Sequence, residues 1–501
     1  MNKKDLLLIS LITISIICFF LAAGTLTSGY QLIDDHEILR IKDDLSTQSF
    51  LEVSFKWIKR DLSIRYRPMY FVHRLLEVKA FGNNLIAWSV YTAFLFSSAM
   101  ILFYAGMRKM GFPIPEALLF ILLTFIGPQM TIWWRLGPNE TIGMFFLGLA
   151  FYFMVNCQKR YFLNTLLFSF FLICASLSKE SFTIIIPGML IFKIWYEKKL
   201  FRLKIIDALK KNYILSVPFL VMLFNFYIII FIVGTNKIGY AGVSGSVVNL
   251  IRGSINILSY SLKNYILLSV TFLMIASIGI GKKNIIEFYK KITFPFLFLI
   301  LIVTPNLILY AKSGMQVGRY TVPAVFGFSI FIFSLIKETG KAKNNLRVVF
   351  LLIVLGFIIS LSPQVFKSAK SYATRGTENN TFLSTIVDNS TEASKLLLVV
   401  DPVQHFEASL SVKSYIYIDN NIPLYGYAVY NRNTWDGNEN LVDTWDDWFD
   451  GKTFYDLIDS PDIIIFLDQS LINRFFDESE VDKESYTNLF QASEFVVLKV
   501  K

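Results

Sequence analysis

Long apolar runs separated by short polar loops recur along this chain from residue 6 to residue 363. Most of them approach the length of about 17–25 residues that an α-helix needs to cross a bilayer. Several are short or interrupted by Pro or Gly, which is typical of tilted or partly re-entrant segments. The pattern predicts eleven membrane spans, at residues 6–26, 84–107, 114–130, 140–156, 161–177, 182–196, 213–234, 264–281, 293–311, 320–336 and 347–363.

Beyond residue 363 the pattern changes. Short apolar runs with strand character follow one another, and helix-compatible stretches such as 469–479 lie between them. We therefore expect an extracytoplasmic α/β domain over residues 383–501, joined by a polar linker over 364–382 to a transmembrane region over 1–363. The predicted fold is mainly α, a polytopic membrane protein with a small C-terminal α/β domain. The predicted strands are "KLLLVV" (395–400), "SYIYI" (414–418), "DIIIFL" (462–467) and "EFVVLKV" (494–500).

The loop between the first two spans, residues 27–83, is long and contains a periodic segment. Leu51, Phe55, Ile58 and Leu62 recur at helical spacing, and charged side chains lie on another face. This pattern predicts an amphipathic helix. The pattern agrees with a helix that lies in the membrane interface. It agrees equally with a small soluble helix that packs on the outer face of the protein.

Charge separates the two halves of the chain. The net charge of the whole chain is +10. Residues 1–363 contain 37 Lys and Arg and 16 Asp and Glu, whereas residues 364–501 contain 11 Lys and Arg and 22 Asp and Glu. The basic residues lie in short loops between spans, where they determine topology, so they do not indicate nucleic-acid binding. Charged residues make up only 17% of the chain, against about a quarter in soluble domains.

The same loop charges predict the orientation in the membrane. With the N-terminus in the cytoplasm, the inward loops contain 21 Lys and Arg, and the four short outward loops contain seven. This bias favours a cytoplasmic N-terminus, and the odd span count then puts the C-terminal domain outside. Residues 1–25 also have features of a cleavable signal peptide, but the apolar stretch is long for one. The abundance of Lys, Ile, Phe and Asn suggests a bacterial plasma membrane.

An acidic cluster follows the first span directly. Asp34, Asp35, His36 and Glu37 stand side by side in "GYQLIDDHEILR". One interpretation is a solvated loop, although acidic residues contribute little to topology. A second is a metal site, since carboxylates suit Mg²⁺ or Mn²⁺ and His36 suits softer ions, with Asp35 as a further ligand. A third is general-base catalysis by a carboxylate pair.

Other ionisable side chains stand in the loops predicted to lie on the same outer side. Arg135 and Glu140 follow the third span, Lys179 follows the fifth, and Arg319 precedes the tenth. Ionisable residues at the edge of a membrane bundle are candidates for function. Carboxylates together with Arg and Lys are what a site needs to deprotonate a hydroxyl while it binds a phosphate.

These motifs resemble the GT-C glycosyltransferases, and within them the protein O-mannosyltransferase and aminoarabinose transferase type. "IDDHEI" is similar to that family's acidic pair after the first span, and "RYRPMYFVHRLLEVKAFGNN" (65–84) to the stretch before the second span. "SLSKES" and "GRYTVP" are similar to its Lys-Glu and Arg-Tyr segments. The resemblance covers about residues 1–335, and the C-terminal domain contains no motif that aligns.

The resemblance implies transfer of a sugar from a polyprenyl phosphate on the outer face of the membrane, with inversion at the anomeric carbon. Asp34 would then be the general base, and Asp35 would position it or the acceptor. His36 departs from the family pattern, which leaves a divalent metal open, and no other cofactor is implied. The remaining roles would be a donor-phosphate site at Arg319, Lys179 and Arg135, and an acceptor or second acidic site at Glu140 and Glu37.

Three alternatives remain open at this stage. A transporter or flippase of lipid-linked saccharides would use internal repeats and broken helices at the bilayer midplane, and no repeat is evident. A polysaccharide polymerase or ligase usually relies on a large late outer loop, whereas the long loop here is the first. A non-catalytic membrane scaffold with a sensing tail is the third. The sequence specifies neither the sugar nor the acceptor, which can be a glycan, a lipid or a protein.

Overall fold

The structure is a computed structural model that describes residues 3–158, 160–234, 247–311, 318–449, 460–479, 481–492 and 494–501. Helices dominate the described residues, and the strands are confined to the C-terminal part. The α-helices up to residue 227 are Lys3–Ala23, Asp35–Thr47, Phe50–Asp61, Pro68–Phe81, Leu85–Lys109, Ile114–Phe125, Asn139–Val155, Tyr161–Ser176, Glu180–Thr183, Ile186–Phe201, Ile205–Lys211 and Ser216–Tyr227. Those that follow are Val247–Tyr260, Lys263–Ile280, Lys282–Ala311, Val322–Ala342, Asn344–Asp388, Phe406–Lys413, Arg432–Trp435, Glu439–Trp448 and Leu471–Glu478.

The chain is a polytopic membrane protein. Within the described residues, seven helical segments are long and apolar enough to cross a membrane: Lys3–Ala23, Leu85–Lys109, Tyr213–Gly234, Lys263–Ile280, Asn284–Ala311, Gly318–Ala342 and Asn344–Asp388. Three shorter apolar helices, at Ile114–Phe125, Asn139–Val155 and Tyr161–Ser176, fall within other predicted spans. The count of eleven spans stays a prediction. A helix satisfies its own backbone groups, which is why apolar runs of this length fold as helices in lipid.

The chain divides into two compact units. The first contains residues 1–23, 54–73 and 90–369, and the second contains 24–53, 74–89 and 370–501. This grouping differs from the predicted domains, because parts of the first outer loop belong with the C-terminal residues. The acidic cluster and the predicted C-terminal domain are therefore in one unit.

Aromatic packing forms the core of the first unit. Phe103, Phe120, Phe151 and Phe326 are fully buried and contact one another with ring centroids 5.2–6.5 Å apart. Gly106 permits this packing, since a Cβ there would lie 2.5 Å from the Phe151 ring. Helix Val322–Ala342 is buried along most of its length and lies at the centre of this core.

The second unit contains a five-stranded sheet. Its strands are β1 (Leu396–Val400), β2 (Leu424–Ala428), β3 (Ile463–Phe466), β4 (Tyr486–Ala492) and β5 (Phe495–Val500). Their order is β2-β1-β3-β5-β4, in which β1 is parallel to β2 and β3, and β5 is antiparallel to β3 and β4. Leu397, Val399, Ile464 and Phe466 are fully buried in its core, as expected for strands covered on both faces. Helix Leu471–Glu478 confirms the predicted helical stretch.

The predicted strands at 395–400, 462–467 and 494–500 are confirmed by β1, β3 and β5, and one predicted strand is wrong. Residues Ser414–Asp419 form a helical turn that continues helix Phe406–Lys413. The alternation of Tyr and Ile suggested a strand, but Ile416 is fully buried on the inner side of this turn. Strands β2 and β4 were not predicted, because the Gly and polar residues in them weaken the apolar pattern.

The predicted linker 364–382 is helical. It lies inside the continuous helix Asn344–Asp388, even though Pro363 interrupts the backbone hydrogen bonds of that helix. Ala369, Ala373, Asn379 and Phe382 recur at helical spacing and are buried. The polar composition suggested a tether, whereas the spacing of small buried residues makes this segment a packed helix.

The amphipathic helix predicted in the first outer loop is present as Phe50–Asp61. Leu51 is 67% exposed and Phe55 is 72% exposed, so these apolar side chains are not covered by protein in the structure. Exposed apolar side chains along one helix face favour the membrane-interface interpretation over packing of this face on the protein.

Candidate functional site

The loop that carries the acidic cluster has a strained backbone. We name residues 29–37 the acidic loop. Leu32 and Asp34 have φ of 55° and 63°, in the left-handed region, which costs a residue with a side chain about 1–2 kcal/mol. Asp34 precedes helix Asp35–Thr47, and its side chain makes no capping hydrogen bond to that helix. Such strain persists only where the surroundings over-determine it, and it is common at functional sites.

Asp35 stabilises this shape from within the loop. Its Oδ2 accepts the backbone N–H of Gln31 at 2.7 Å and that of Leu32 at 2.6 Å, and the residue is buried. The two carboxylates of the pair are therefore in different situations, since Asp34 is half-buried. Asp34 as the base and Asp35 as the positioning residue stay predictions.

A helix outside the loop stabilises it as well. Tyr30 donates its backbone N–H to the Asn380 Oδ1 at 3.1 Å, and its carbonyl accepts from the Asn379 Nδ2 at 3.0 Å. The Arg375 Nη2 donates to the Gln31 Oε1 at 3.0 Å. We name Arg375, Asn379 and Asn380 the brace. All three lie in the segment that the sequence suggested was a linker, so this segment positions the acidic loop.

The C-terminal residues also contact the helix that follows Asp34. The Trp448 ring lies under the Arg40 guanidinium at 3.6 Å and meets the His36 ring edge-on at 5.9 Å. The Lys42 Nζ pairs with the Asp419 carboxylate at 2.6 Å. His36 is thus in contact with an indole ring. In the described part of the chain, no group of three or more His, Cys, Asp and Glu side chains is arranged to bind a metal ion.

Glu37 is half-buried in the first turn of helix Asp35–Thr47, and its backbone N–H donates to the Asp34 carbonyl. Like the other acidic residues of the cluster, it belongs to the second unit.

Arg135 is buried just beyond the 3₁₀ turn Pro128–Trp133, in the first unit.

A buried ion pair forms the centre of the second group of candidate residues, which belongs to the first unit. The Lys179 ammonium pairs with the Glu140 carboxylate, and both residues are more than 95% buried. The Lys179 Nζ also lies 4.5 Å from the centroid of the Tyr320 ring. Buried charges in proteins are paired, because an unpaired one is strongly destabilising. The structure thus brings together two residues that the sequence placed in different loops.

Arg319 contacts the same tyrosine. Its Nη2 donates to the Tyr320 hydroxyl at 2.6 Å, and its Cζ lies 4.8 Å from the ring centroid. Tyr320 is fixed in turn, because its ring stacks on Tyr310 at 4.8 Å and its carbonyl accepts from the Asn306 amide at 3.0 Å. Lys179 and Arg319 therefore flank one rigid aromatic ring. The sequence did not single out Tyr320, and its only signal is its position directly after Arg319.

Among the described residues, Arg319 makes no ion pair with a carboxylate, and its Nε is buried without a hydrogen-bond partner. A guanidinium in this situation is suited to an anionic ligand. Lys312, at the other end of the loop "AKSGMQVGRY" that precedes the tenth predicted span, lies outside the described residues.

Two adjoining cavities in the first unit lead towards Arg319. One has a volume of about 400 Å³ and an apolar lining that includes Phe19 and Met100. The other, of about 280 Å³, shares Met130 and Val365 with the first and reaches Gly318, the residue before Arg319. The apolar cavity therefore lies beside a second cavity, and that second cavity reaches the residue before Arg319.

A scan against protein-family models found no match, and neither did a search of curated proteins. Among solved structures, the chain is similar to ArnT from Cupriavidus metallidurans bound to undecaprenyl phosphate, with a TM-score of 0.48, 12% identity, and coverage of 99% of this chain and 98% of that one. It is also similar to the same protein in the apo state, with a TM-score of 0.47, 13% identity, and coverage of 97% of both chains. At this TM-score and identity nothing about function follows from the similarity, so function has to rest on the residues described above.

Proposed function

We propose that this protein is a membrane glycosyltransferase that moves a sugar from a polyprenyl-phosphate donor to an acceptor hydroxyl, with inversion at the anomeric carbon. The observation that supports this proposal best is the pair of cations on Tyr320. Lys179 and Arg319 flank one ring, and Arg319 has no carboxylate partner among the described residues. A guanidinium can make two parallel hydrogen bonds to a phosphate, which favours a phosphate-bearing donor over a neutral one.

The charges near Tyr320 suit a phosphodiester. Lys179 is neutralised by Glu140, so Arg319 supplies the positive charge that a ligand can use. A sugar linked to a polyprenyl phosphate carries one negative charge at neutral pH, and one guanidinium balances it. The apolar cavity, which adjoins the one that reaches Gly318, supports a lipid carrier, because a hydrocarbon chain gains free energy by leaving water for an apolar space.

The acidic loop supports the other half of the proposed reaction. The acceptor oxygen attacks the anomeric carbon and gives its proton to the Asp34 carboxylate, while the bond from that carbon to the phosphate oxygen breaks. The electron pair of the broken bond stays with the polyprenyl phosphate, to which Arg319 and Lys179 are assigned. Asp35 fixes the backbone before Asp34 through Gln31 and Leu32 and takes the role of a positioning residue. A single displacement of this kind inverts the anomeric centre.

The remaining features belong to the same proposal. We place the reaction on the outer face of a bacterial plasma membrane, with the N-terminus in the cytoplasm, because the loop charges favour that orientation. Arg135 is proposed as a further phosphate ligand, and Glu140 and Glu37 as acidic groups near the acceptor. The acceptor is a glycan, lipid or protein of the cell envelope, and metal dependence is left open by His36 and Asp35.

The experiment is turnover by the purified protein in detergent with a panel of polyprenyl-phosphate sugars and a cell-envelope extract that supplies the acceptor hydroxyl. We expect one or more of them to be consumed with release of polyprenyl phosphate, and Arg319→Ala to lose donor binding while it stays folded. Movement of an intact lipid-linked saccharide across a vesicle membrane, without cleavage of the sugar–phosphate bond, would instead support the transporter alternative and overturn the proposal.

A further inference from the structure

Glu180 is a buried carboxylate that the proposed mechanism does not use. It follows Lys179 in the chain, begins the short helix Glu180–Thr183, and is 8% exposed. Neither of its carboxylate oxygens has a hydrogen-bond partner in the part of the chain that the structure describes. Buried polar groups are hydrogen-bonded in the large majority of native structures, so an unsatisfied carboxylate requires an explanation.

The cations near Glu180 are engaged with other carboxylates. Lys179 pairs with Glu140, and the Arg67 Nη2 pairs with the Asp61 Oδ1 at 2.6 Å. The segment that contains Arg67 and the segment that contains Glu180 are joined by a backbone hydrogen bond, in which the Met69 N–H donates to the Leu177 carbonyl at 3.0 Å. Glu180 therefore stands among positive charges without a hydrogen bond from any of them.

Electrostatics keeps this carboxylate ionised. Burial alone would raise the pKa of Glu180, but Arg65, Lys179 and Arg67 outweigh it, and the net pKa lies below its ordinary value. At neutral pH the group is thus an anion with two empty acceptor oxygens. An anion of this kind binds hydrogen-bond donors and repels phosphate.

The sugar of the proposed donor supplies such donors. Its phosphate is assigned to Arg319, which contacts Tyr320, and Lys179 lies on the same ring. A sugar attached to that phosphate bears hydroxyl groups, and in amino sugars an ammonium group as well. We propose that Glu180 binds hydroxyl or ammonium groups of the transferred sugar and so selects the donor by its sugar. This inference rests on the proposed function.

The neighbouring charges agree with this assignment. Of the three cations that lower the pKa of Glu180, Lys179 pairs with Glu140 and Arg67 pairs with Asp61. A neutral polyol adds no charge to this neighbourhood. An ammonium group is also accommodated, because it pairs directly with the carboxylate.

The test compares two lipids on one variant. Glu180→Gln keeps the size of the side chain and removes its charge. Binding of undecaprenyl phosphate, which has no sugar, and of undecaprenyl-phosphate sugars is measured with the purified full-length protein in detergent. A hydrogen bond to a charged group is worth about 1.5–3 kcal/mol. We expect affinity for the sugar-bearing lipid to fall by about tenfold to a hundredfold, and affinity for undecaprenyl phosphate to change by less than about threefold.

Glu197→Gln is the matched control. Glu197 is also a buried carboxylate, but it accepts from Lys193, Tyr161 and Asn212. This variant reports what the loss of a buried charge does to folding alone, and we expect its folded fraction to bind both lipids as the wild type does.

The outcomes separate the two proposals. Equal losses for both lipids in Glu180→Gln would show that Glu180 is only a counter-ion, and unchanged affinities would show that it binds no sugar. Either result overturns this inference while the proposed function stands. Wild-type protein that binds neither lipid overturns the proposed function and this inference with it.

Discussion

Replacing Asn379 with Ala removes one donor of the brace and leaves the rest of the site intact. The Asn379 Nδ2 donates to the Tyr30 carbonyl at 3.0 Å, and both residues are buried. Ala has a higher helix propensity than Asn, so the helix Asn344–Asp388 itself is not weakened. A buried carbonyl that loses its donor costs about 1–3 kcal/mol.

This loss is comparable to the strain that the loop contains. The left-handed conformations of Leu32 and Asp34 cost about 1–2 kcal/mol each, and the brace is part of what offsets them. A change of about 1–3 kcal/mol corresponds to a factor of about 5–150 in a conformational equilibrium. We therefore expect turnover of Asn379→Ala to fall by up to that factor, because activity scales with the fraction of molecules whose loop is competent.

Three measurements check this expectation. Turnover at saturating donor should fall, while affinity for undecaprenyl phosphate, assigned to Lys179 and Arg319, should stay near the wild-type value. Amide hydrogen exchange of residues 29–35 should become faster. Thr374→Ala is the control, because Thr374 is exposed on the same helix. Faster exchange with full turnover would refute the claim that the shape of the acidic loop matters for catalysis.

Three further predictions concern the roles assigned above. Asp34→Asn should lower turnover by about 10²–10⁴-fold while donor binding persists, as measured by kinetics and lipid binding on the same preparation; full activity would exclude it as the base. Arg319→Lys should weaken donor binding and Arg319→Ala should weaken it more, whereas a loss of stability with unchanged affinity would indicate a structural role. A reporter fused after Lys501 should be active only outside the cytoplasm, and a reporter fused near Lys199 should be active only inside it. The reverse pattern would contradict the assignment of the candidate site residues to one common outer face.

The acidic loop could be predicted because its signal is local. Asp34 and Asp35 follow an apolar span at once, and charge beside a span is conspicuous in a chain with so few charged residues. The common outer side of Lys179 and Arg319 stays a prediction from the loop charges. Their positions around Tyr320 are seen in the structure. The left-handed backbone at Leu32 could not, because a leucine in that conformation is disfavoured and only tertiary contacts maintain it.

The brace lay beyond sequence reasoning for a different reason. Tyr30 and Asn380 are 350 positions apart in the sequence. The contact is made by the side-chain amide of Asn380, and amino-acid composition does not reveal which backbone group such an amide binds. The one available signal was the helical spacing of Ala369, Ala373 and Gly376 within a polar segment. Gly376 is required there, because a Cβ would lie 2.6 Å from the Ser28 carbonyl oxygen. Small residues at that spacing indicate close packing of a helix and argue against a tether.

The Trp-rich stretch "NTWDGNENLVDTWDDWFDG" (433–451) separates into two kinds of tryptophan. Trp445 is buried and donates its Nε1–H to the Ser409 hydroxyl at 3.0 Å, which is the packing role that aromatic residues usually have. Trp448 instead contacts Arg40 and His36, on the helix that begins after Asp34. Asp450 lies outside the described residues. Indole faces stack on sugar rings and carboxylates accept hydroxyl hydrogen bonds, so this stretch also predicts a site for a glycan acceptor. Trp448→Ala tests that prediction better than Trp445→Ala, because Trp448 is less buried.

The arrangement on Tyr320 also bears on how the proposed reaction is accelerated. Only interactions that strengthen towards the transition state increase the rate of the chemical step. The donor phosphodiester carries one negative charge, and the departing phosphate monoester carries about 1.5–2 negative charges at neutral pH. Arg319 balances the charge of the donor phosphodiester. The additional charge is assigned to the same guanidinium, which the Tyr320 hydroxyl fixes at 2.6 Å. A hydrogen-bond donor fixed before the reaction starts needs no reorganisation when the charge appears, which is the condition under which electrostatic stabilisation is largest.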